Sequence, residues 1–144
     1  MNLNIPYMET DNKLLNDAYR IAAGDIVGNI VYYQNGLLTE EKPCMIAGLD
    51  YNTPWTRDTA INIWNALSIL SPEVSKNTLL AVLEEEEGNI YIGGQYWDSI
   101  IWMIGAREYC RFHKDDNFYR LAFEAGRNSV HRLEEDEFDE EDGL

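Results

Sequence analysis

Five stretches of helical periodicity follow one another along the 144-residue chain, and they alternate between helices apolar on one face and helices apolar over most of their circumference. Leu15, Ala18, Tyr19, Ala22, Ile26, Ile30 and Tyr33 mark one face of a first helix from about 11 to 33, where Gly24 and Gly28 predict close packing against a neighbour. The second, about Arg57 to Leu70, carries Ala60, Ile61, Ile63, Trp64, Leu67, Ile69 and Leu70 and so predicts burial on several sides, with Trp64 in the core. Ser71-Pro72-Glu73 then starts a third helix to about Leu83: a serine cap, proline in the first turn and an acid against the helix dipole. The fourth, about Trp97 to Phe112, is again mostly apolar and has Trp102 in its core. The fifth follows His113-Lys114-Asp115-Asp116 and places Phe118, Leu121, Ala122, Ala125 and Val130 on one face. No run predicts a strand pair. The expected fold class is all-α: a single domain of antiparallel helical hairpins over 1–144, with 134–144 an acidic loop or tail.

Charge narrows the function. With 26 acidic against 11 basic side chains the net charge is −15, a surface that repels phosphate backbones and argues against nucleic-acid binding. The apolar fraction of 45% is nevertheless enough for a core. The longest apolar stretch, Ile100 to Ala106, is far shorter than a bilayer span, so no membrane segment is expected. The opening residues Met1 to Pro6 lack the basic start and apolar centre of a secretory signal, which leaves the compartment open and leans toward the cytoplasm. Cys44 and Cys110 belong to no C-x-x-C pair and read as buried thiols. Glu84-Glu85-Glu86-Glu87 and the acidic tail lack the spacing of a calcium loop and read as solvated charge. His113 and His131 lack metal-ligand spacing, and Gly93-Gly94 lacks the setting of a phosphate loop. No metal and no cofactor are expected.

The links leading into the two mostly apolar helices are long, about 34 to 56 and 84 to 96, while the links out of them are short. This asymmetry places the long loops at one end of the array, above the N-termini of the inner helices, where sites are commonly built. Tyr51-Asn52-Thr53-Pro54-Trp55-Thr56-Arg57-Asp58 opens the first inner helix and Gly93-Gly94-Gln95-Tyr96-Trp97-Asp98-Ser99 the second, two weak repeats about 40 positions apart. Each puts aromatics and an acid in the first turn. Acids there also stabilise helix N-termini without any further role. Flat rings that stack on a pyranose, beside Asp and Arg that hydrogen-bond vicinal hydroxyls, suit a sugar.

Trp55-Thr56-Arg57-Asp58 resembles the W-x-R-D motif near the first inner helix of six-hairpin, (α/α)6-barrel glycosidases of the glucoamylase-like and amylo-α-1,6-glucosidase-like kind. Tyr96-Trp97-Asp98 is similar to their next hairpin, and Glu141-Asp142-Gly143-Leu144 looks like the D-G-L that opens a later substrate loop, so the resemblance covers roughly Gly48 to Leu144. It implies an incomplete toroid of about two and a half hairpins, part of a longer catalytic domain. It also implies that Arg57 and Asp58 bind hydroxyls of a terminal sugar in a pocket lined by Trp55, Tyr96, Trp97 and Asp98.

Glycoside hydrolysis needs a carboxylic acid and a second carboxylate at a defined separation. The resemblance makes Asp58 a substrate binder, so the catalytic residues are not assigned and the chain by itself is expected to hydrolyse nothing. The reading is therefore part of a glycoside hydrolase acting on a carbohydrate. Its rivals are a sugar epimerase or polysaccharide lyase on the same scaffold, and a helical-repeat binding module with an acidic surface. Inner helices lacking neighbours would leave Ile61, Ile69, Ile100 and Ile104 as contact residues, for a homo-oligomer or for further hairpins of a parent chain.

Overall fold

The computed structural model describes residues 5–137. Helix α1 (Lys13–Gly28) leads into a hairpin of β1 (Ile30–Tyr33) and β2 (Lys42–Met45). An inner helix α2 runs over 56–70 as an α-helical start (Thr56–Asn62), a π-helical turn (Ile63–Leu67) and a closing turn (Ser68–Leu70); α3 (Pro72–Ala81) follows at once. A second hairpin, β3 (Leu83–Glu86) and β4 (Asn89–Ile92), then leads to α4 (Asp98–Phe112) and α5 (Asp116–Glu137).

The chain is thus mixed α/β, and the all-α expectation fails on its two antiparallel two-stranded sheets. Helix α1 ends at Gly28 rather than near Tyr33. Ile30-Val31-Tyr32-Tyr33 is a β-branched and aromatic run that pairs with Lys42 to Met45, and the i, i+3 spacing of Ile30 and Tyr33 is accidental. The third helix likewise stops at Ala81, because Leu83 opens a strand. Glu84 to Glu86 is poor strand material, held by its turn: Glu87 and Gly88 both have positive φ, 51° and 81°, the geometry of a two-residue hairpin turn whose twist matches the strands. The acid run remains exposed on this hairpin.

The same device ties both hairpins down. Met45 N–H donates to Thr78 Oγ1 at 2.9 Å and Asn77 Nδ2 donates to the Pro43 carbonyl at 3.2 Å, so α3 satisfies the outer edge of β2. Ile92 N–H donates to Ser129 Oγ at 2.8 Å and Asn128 Nδ2 to the Ile90 carbonyl at 3.1 Å, so α5 does the same for β4. Two repeats result, each a hairpin, an inner helix and an outer helix bearing an Asn-Thr or Asn-Ser pair.

The core fills the space between α2, α3, α4 and α5. Ile63, Leu67, Val74, Leu79, Trp102 and Phe118 are fully buried there, and Trp102 Nε1 donates to the Leu79 carbonyl at 3.3 Å. Burying each such side chain is worth about 1.5–3 kcal/mol. Trp64, expected in the core, is instead 55% exposed, for the π-helical turn shifts the helical phase in which it lies. The inner helices are also less enclosed than their composition predicts, with Ile61, Ile69, Ile100 and Ile104 exposed. Helix α1 buries no residue, and Gly24 and Gly28 face open space instead of a packed neighbour.

Candidate functional site

Thr56 Oγ1 donates to the Gly93 carbonyl at 2.7 Å and joins the segments that open α2 and α4. Next to it Arg57 Nη1 donates to Asp98 Oδ1 at 2.5 Å, while Asp98 Oδ2 accepts the Gln95 N–H at 2.9 Å. The second bond closes the turn before α4 much as a capping box does. Both carboxylate oxygens are therefore engaged. The Asp98 side chain is 7% exposed and that of Arg57 32%, so the pair is sunk on the acid side and open on the guanidinium side. Burial of a charge is tolerable when it is paired and hydrogen-bonded, and here each oxygen accepts one bond.

The turn that presents these groups is strained. Tyr96 has φ 44°, the left-handed region that side chains other than glycine rarely adopt, and its ring is 64% exposed. Such a residue costs about 1–3 kcal/mol and gathers at functional positions. Gly94, at φ 119°, has the Asp98 carboxylate where a Cβ would sit: Oδ2 lies 2.6 Å from that point. The Arg57 guanidinium also lies 5.4 Å from the centre of the Trp97 ring, within cation–π range. Trp55 meets Tyr51 edge to face at 5.8 Å, and Tyr51, Trp55, Tyr96 and Trp97 are all exposed.

A cleft of about 290 Å³ opens here, lined by Thr53, Trp55, Arg57, Gln95 and Asp98 among others. Of the residues singled out by sequence, Trp55, Arg57 and Asp98 line this cleft, Trp97 reaches it through Arg57, and Tyr96 sits on the adjoining turn. Asp58 does not line it. It occupies the first turn of α2 and has no side-chain partner among the described residues. Arg57 and Asp58 neither pair with each other nor converge, since Arg57 turns to Asp98 instead. Thr53 and Gln95 were not singled out, because nothing in their spacing distinguishes them from ordinary loop residues. Asp-Gly-Leu at 142–144 lies outside the described residues.

Burial pushes the Cys44 thiol up to about 12 and raises that of Cys110, so neither is a thiolate nucleophile at neutral pH. Among the described residues no group of His, Cys, Asp and Glu could hold a metal ion, and no helix is long and apolar enough to cross a membrane. A larger hollow, about 520 Å³, lies between α1 and α2 but has no charged residue in its wall. Comparison with protein-family models, with curated proteins and with solved structures finds no match.

Proposed function

We propose that the chain forms one wall of a sugar-binding pocket in a glycoside hydrolase. The observation that carries this reading is the Arg57 guanidinium, held between the Asp98 carboxylate and the Trp97 face at the edge of a cleft flanked by the exposed Trp55 ring. Indole faces stack on the apolar face of a pyranose, and a guanidinium held in place by an acid offers its remaining N–H groups to hydroxyl oxygens with charge-assisted strength. Because Asp98 fixes Arg57 in advance, binding loses little side-chain entropy. The likeness of Trp55 to Asp58 to the W-x-R-D motif of six-hairpin glycosidases supports the same assignment.

Asp98 accepts hydrogen bonds at both oxygens and is committed to holding Arg57 and the turn, which leaves Asp58 as the free acid of the two helix starts. Asp58 does not line the cleft, so the two helix starts bring it no free carboxylate, whereas glycoside hydrolysis needs two. The chain therefore binds sugar weakly and turns nothing over. Titration with neutral oligosaccharides, followed by NMR at the indole N–H groups, should shift Trp55 and Trp97 and leave the buried Trp102 still. Unmoved Trp55 and Trp97 signals up to tens of millimolar sugar would end this reading, and glycoside turnover abolished by Asp58→Asn would show the catalytic acids to be wrongly placed.

A further inference from the structure

A second hollow of about 150 Å³ adjoins the cleft and shares Pro54, Thr56 and Gly94 with it; its other walls include Asn35, Glu84 and Gly93. Taken separately, each space falls below the ~300–1,000 Å³ of typical small-molecule sites, and joined they fall within that range. Glu84 is the one acid of its run that lines this hollow. Its Oε1 lies 2.6 Å from where a Cβ on residue 93 would sit, so the absence of a side chain at Gly93 lets the carboxylate of this exposed residue lie against the backbone there.

The polar groups of the second hollow are mostly acceptors. Asn35 spends one of its two amide N–H groups on the Ala81 carbonyl and keeps Oδ1 as an acceptor, and Thr56 spends its hydroxyl proton on the Gly93 carbonyl. Glu84 has no ion-pair partner among the described residues. Acceptors facing one space call for a ligand that brings donors, and unpaired carboxylate charge turns away anionic ligands. Hydroxyl groups of a neutral sugar meet both conditions.

We infer that the joined groove takes two consecutive units of a neutral oligosaccharide, and that Glu84 accepts a hydrogen bond from a hydroxyl of the second unit. The inference rests on the sugar-site reading above and extends it from a single residue to a disaccharide.

The test compares one-unit probes, methyl α-glucoside and methyl β-glucoside, with the two-unit probes maltose, isomaltose and cellobiose on the full chain, read by the Trp55 and Trp97 indole shifts. At least one disaccharide should bind more tightly than either glucoside. Glu84→Ala should weaken that disaccharide about ten-fold, the effect of losing a hydrogen bond to a charged group. Glu84→Gln, which keeps an acceptor, should recover part of the loss. Neither variant should alter the one-unit probes, and Glu85→Ala, a change in the same acid run, should alter nothing. If Trp55 and Trp97 respond but disaccharides bind no better than the glucosides, or Glu84→Ala leaves the favoured disaccharide unchanged, or it weakens both classes alike, the second-unit assignment is overturned while the sugar site stands. If no saccharide moves either indole, both fall together.

Discussion

In the first repeat the inner helix carries Asp58 in its first turn, with no side-chain partner among the described residues; in the second it begins with Asp98, which holds Arg57 and the Gln95 amide. The hairpins differ in the same manner. The loop between β1 and β2 turns inward over the end of α3, where Leu37 N–H donates to the Leu80 carbonyl and Asn35 to that of Ala81, whereas the β3–β4 turn is only Glu87-Gly88, where a Cβ on Gly88 would meet nothing within 4 Å. What the repeats share is the outer-edge tie, Asn77-Thr78 in one and Asn128-Ser129 in the other. The shared part satisfies backbone groups. The parts that differ divide the work, so that the first repeat supplies Arg57 and a capped scaffold, and the second fixes Arg57 and presents Tyr96 and Trp97.

The hairpin glycines give the largest effect with which to test that division. Gly36 has φ 59°, and a Cβ there would lie 2.5–2.8 Å from the Leu83, Leu80 and Ala81 carbonyl oxygens. Gly36→Ala should cost about 3 kcal/mol or more, combining left-handed strain with forced displacement of backbone. Gly88 has φ 81° but open space around it, so Gly88→Ala should cost only about 1 kcal/mol. Urea unfolding of the two variants measures the difference, and equal costs would mean that the first loop does not cap α3.

Next in size are the edge ties. Thr78→Val and Ser129→Ala each remove the acceptor of a buried strand N–H, Met45 in one case and Ile92 in the other. Each should cost about 1–3 kcal/mol, the penalty of an unsatisfied buried donor. Equivalent repeats should give losses within about 1 kcal/mol of each other in denaturant melts, given the scatter of such terms. A tie that proves neutral would show its hairpin to be held by packing alone.

Those ties show why the sequence was only partly readable. The inner helices were legible because Leu67, Trp102 and their neighbours keep a helical period, and the start of α3 because Ser71-Pro72-Glu73 is local chemistry. The strands were not: Ile30 to Tyr33 fits a helical face by accident, and the partners of Asn77, Thr78, Asn128 and Ser129 lie 33 to 38 positions away. The candidate site divides on the same line. Trp55, Arg57 and Trp97 stood out as aromatic and charged residues in first turns, but the bond from Arg57 to Asp98 spans 41 positions, and the resemblance set Arg57 beside Asp58 on a sugar instead. Glu84 was read with its neighbours as solvated charge and is exposed as they are; that it also lies against Gly93 and lines the hollow depends on strand pairing that the local sequence does not show.

The smallest contrast concerns the caps of the outer helices. Ser71 caps α3 by accepting the Val74 N–H, and its hydroxyl does not titrate in the accessible range. Asp115 stands in the same place before α5: Oδ1 accepts the Phe118 N–H at 3.0 Å and Oδ2 takes Lys76 Nζ at 2.6 Å. The Lys76 ammonium first, then the Phe118 amide, hold the Asp115 carboxyl below its usual range. A depressed carboxylate contributes stability that is full above its unfolded value, near pH 4, and is lost as pH falls through the lower folded value. Asparagine still caps but carries no charge, so wild type should exceed Asp115→Asn by about 0.5–1 kcal/mol at pH 6, the worth of a partly exposed ion pair. The gap should close below about pH 4 as both side chains become neutral. Ser71→Asn, the matching change in the first repeat, should differ from wild type by the same amount at pH 6 and at pH 3. A gap at Asp115 that persists into acid would assign its contribution to cap geometry rather than charge, and would erase this difference between the repeats.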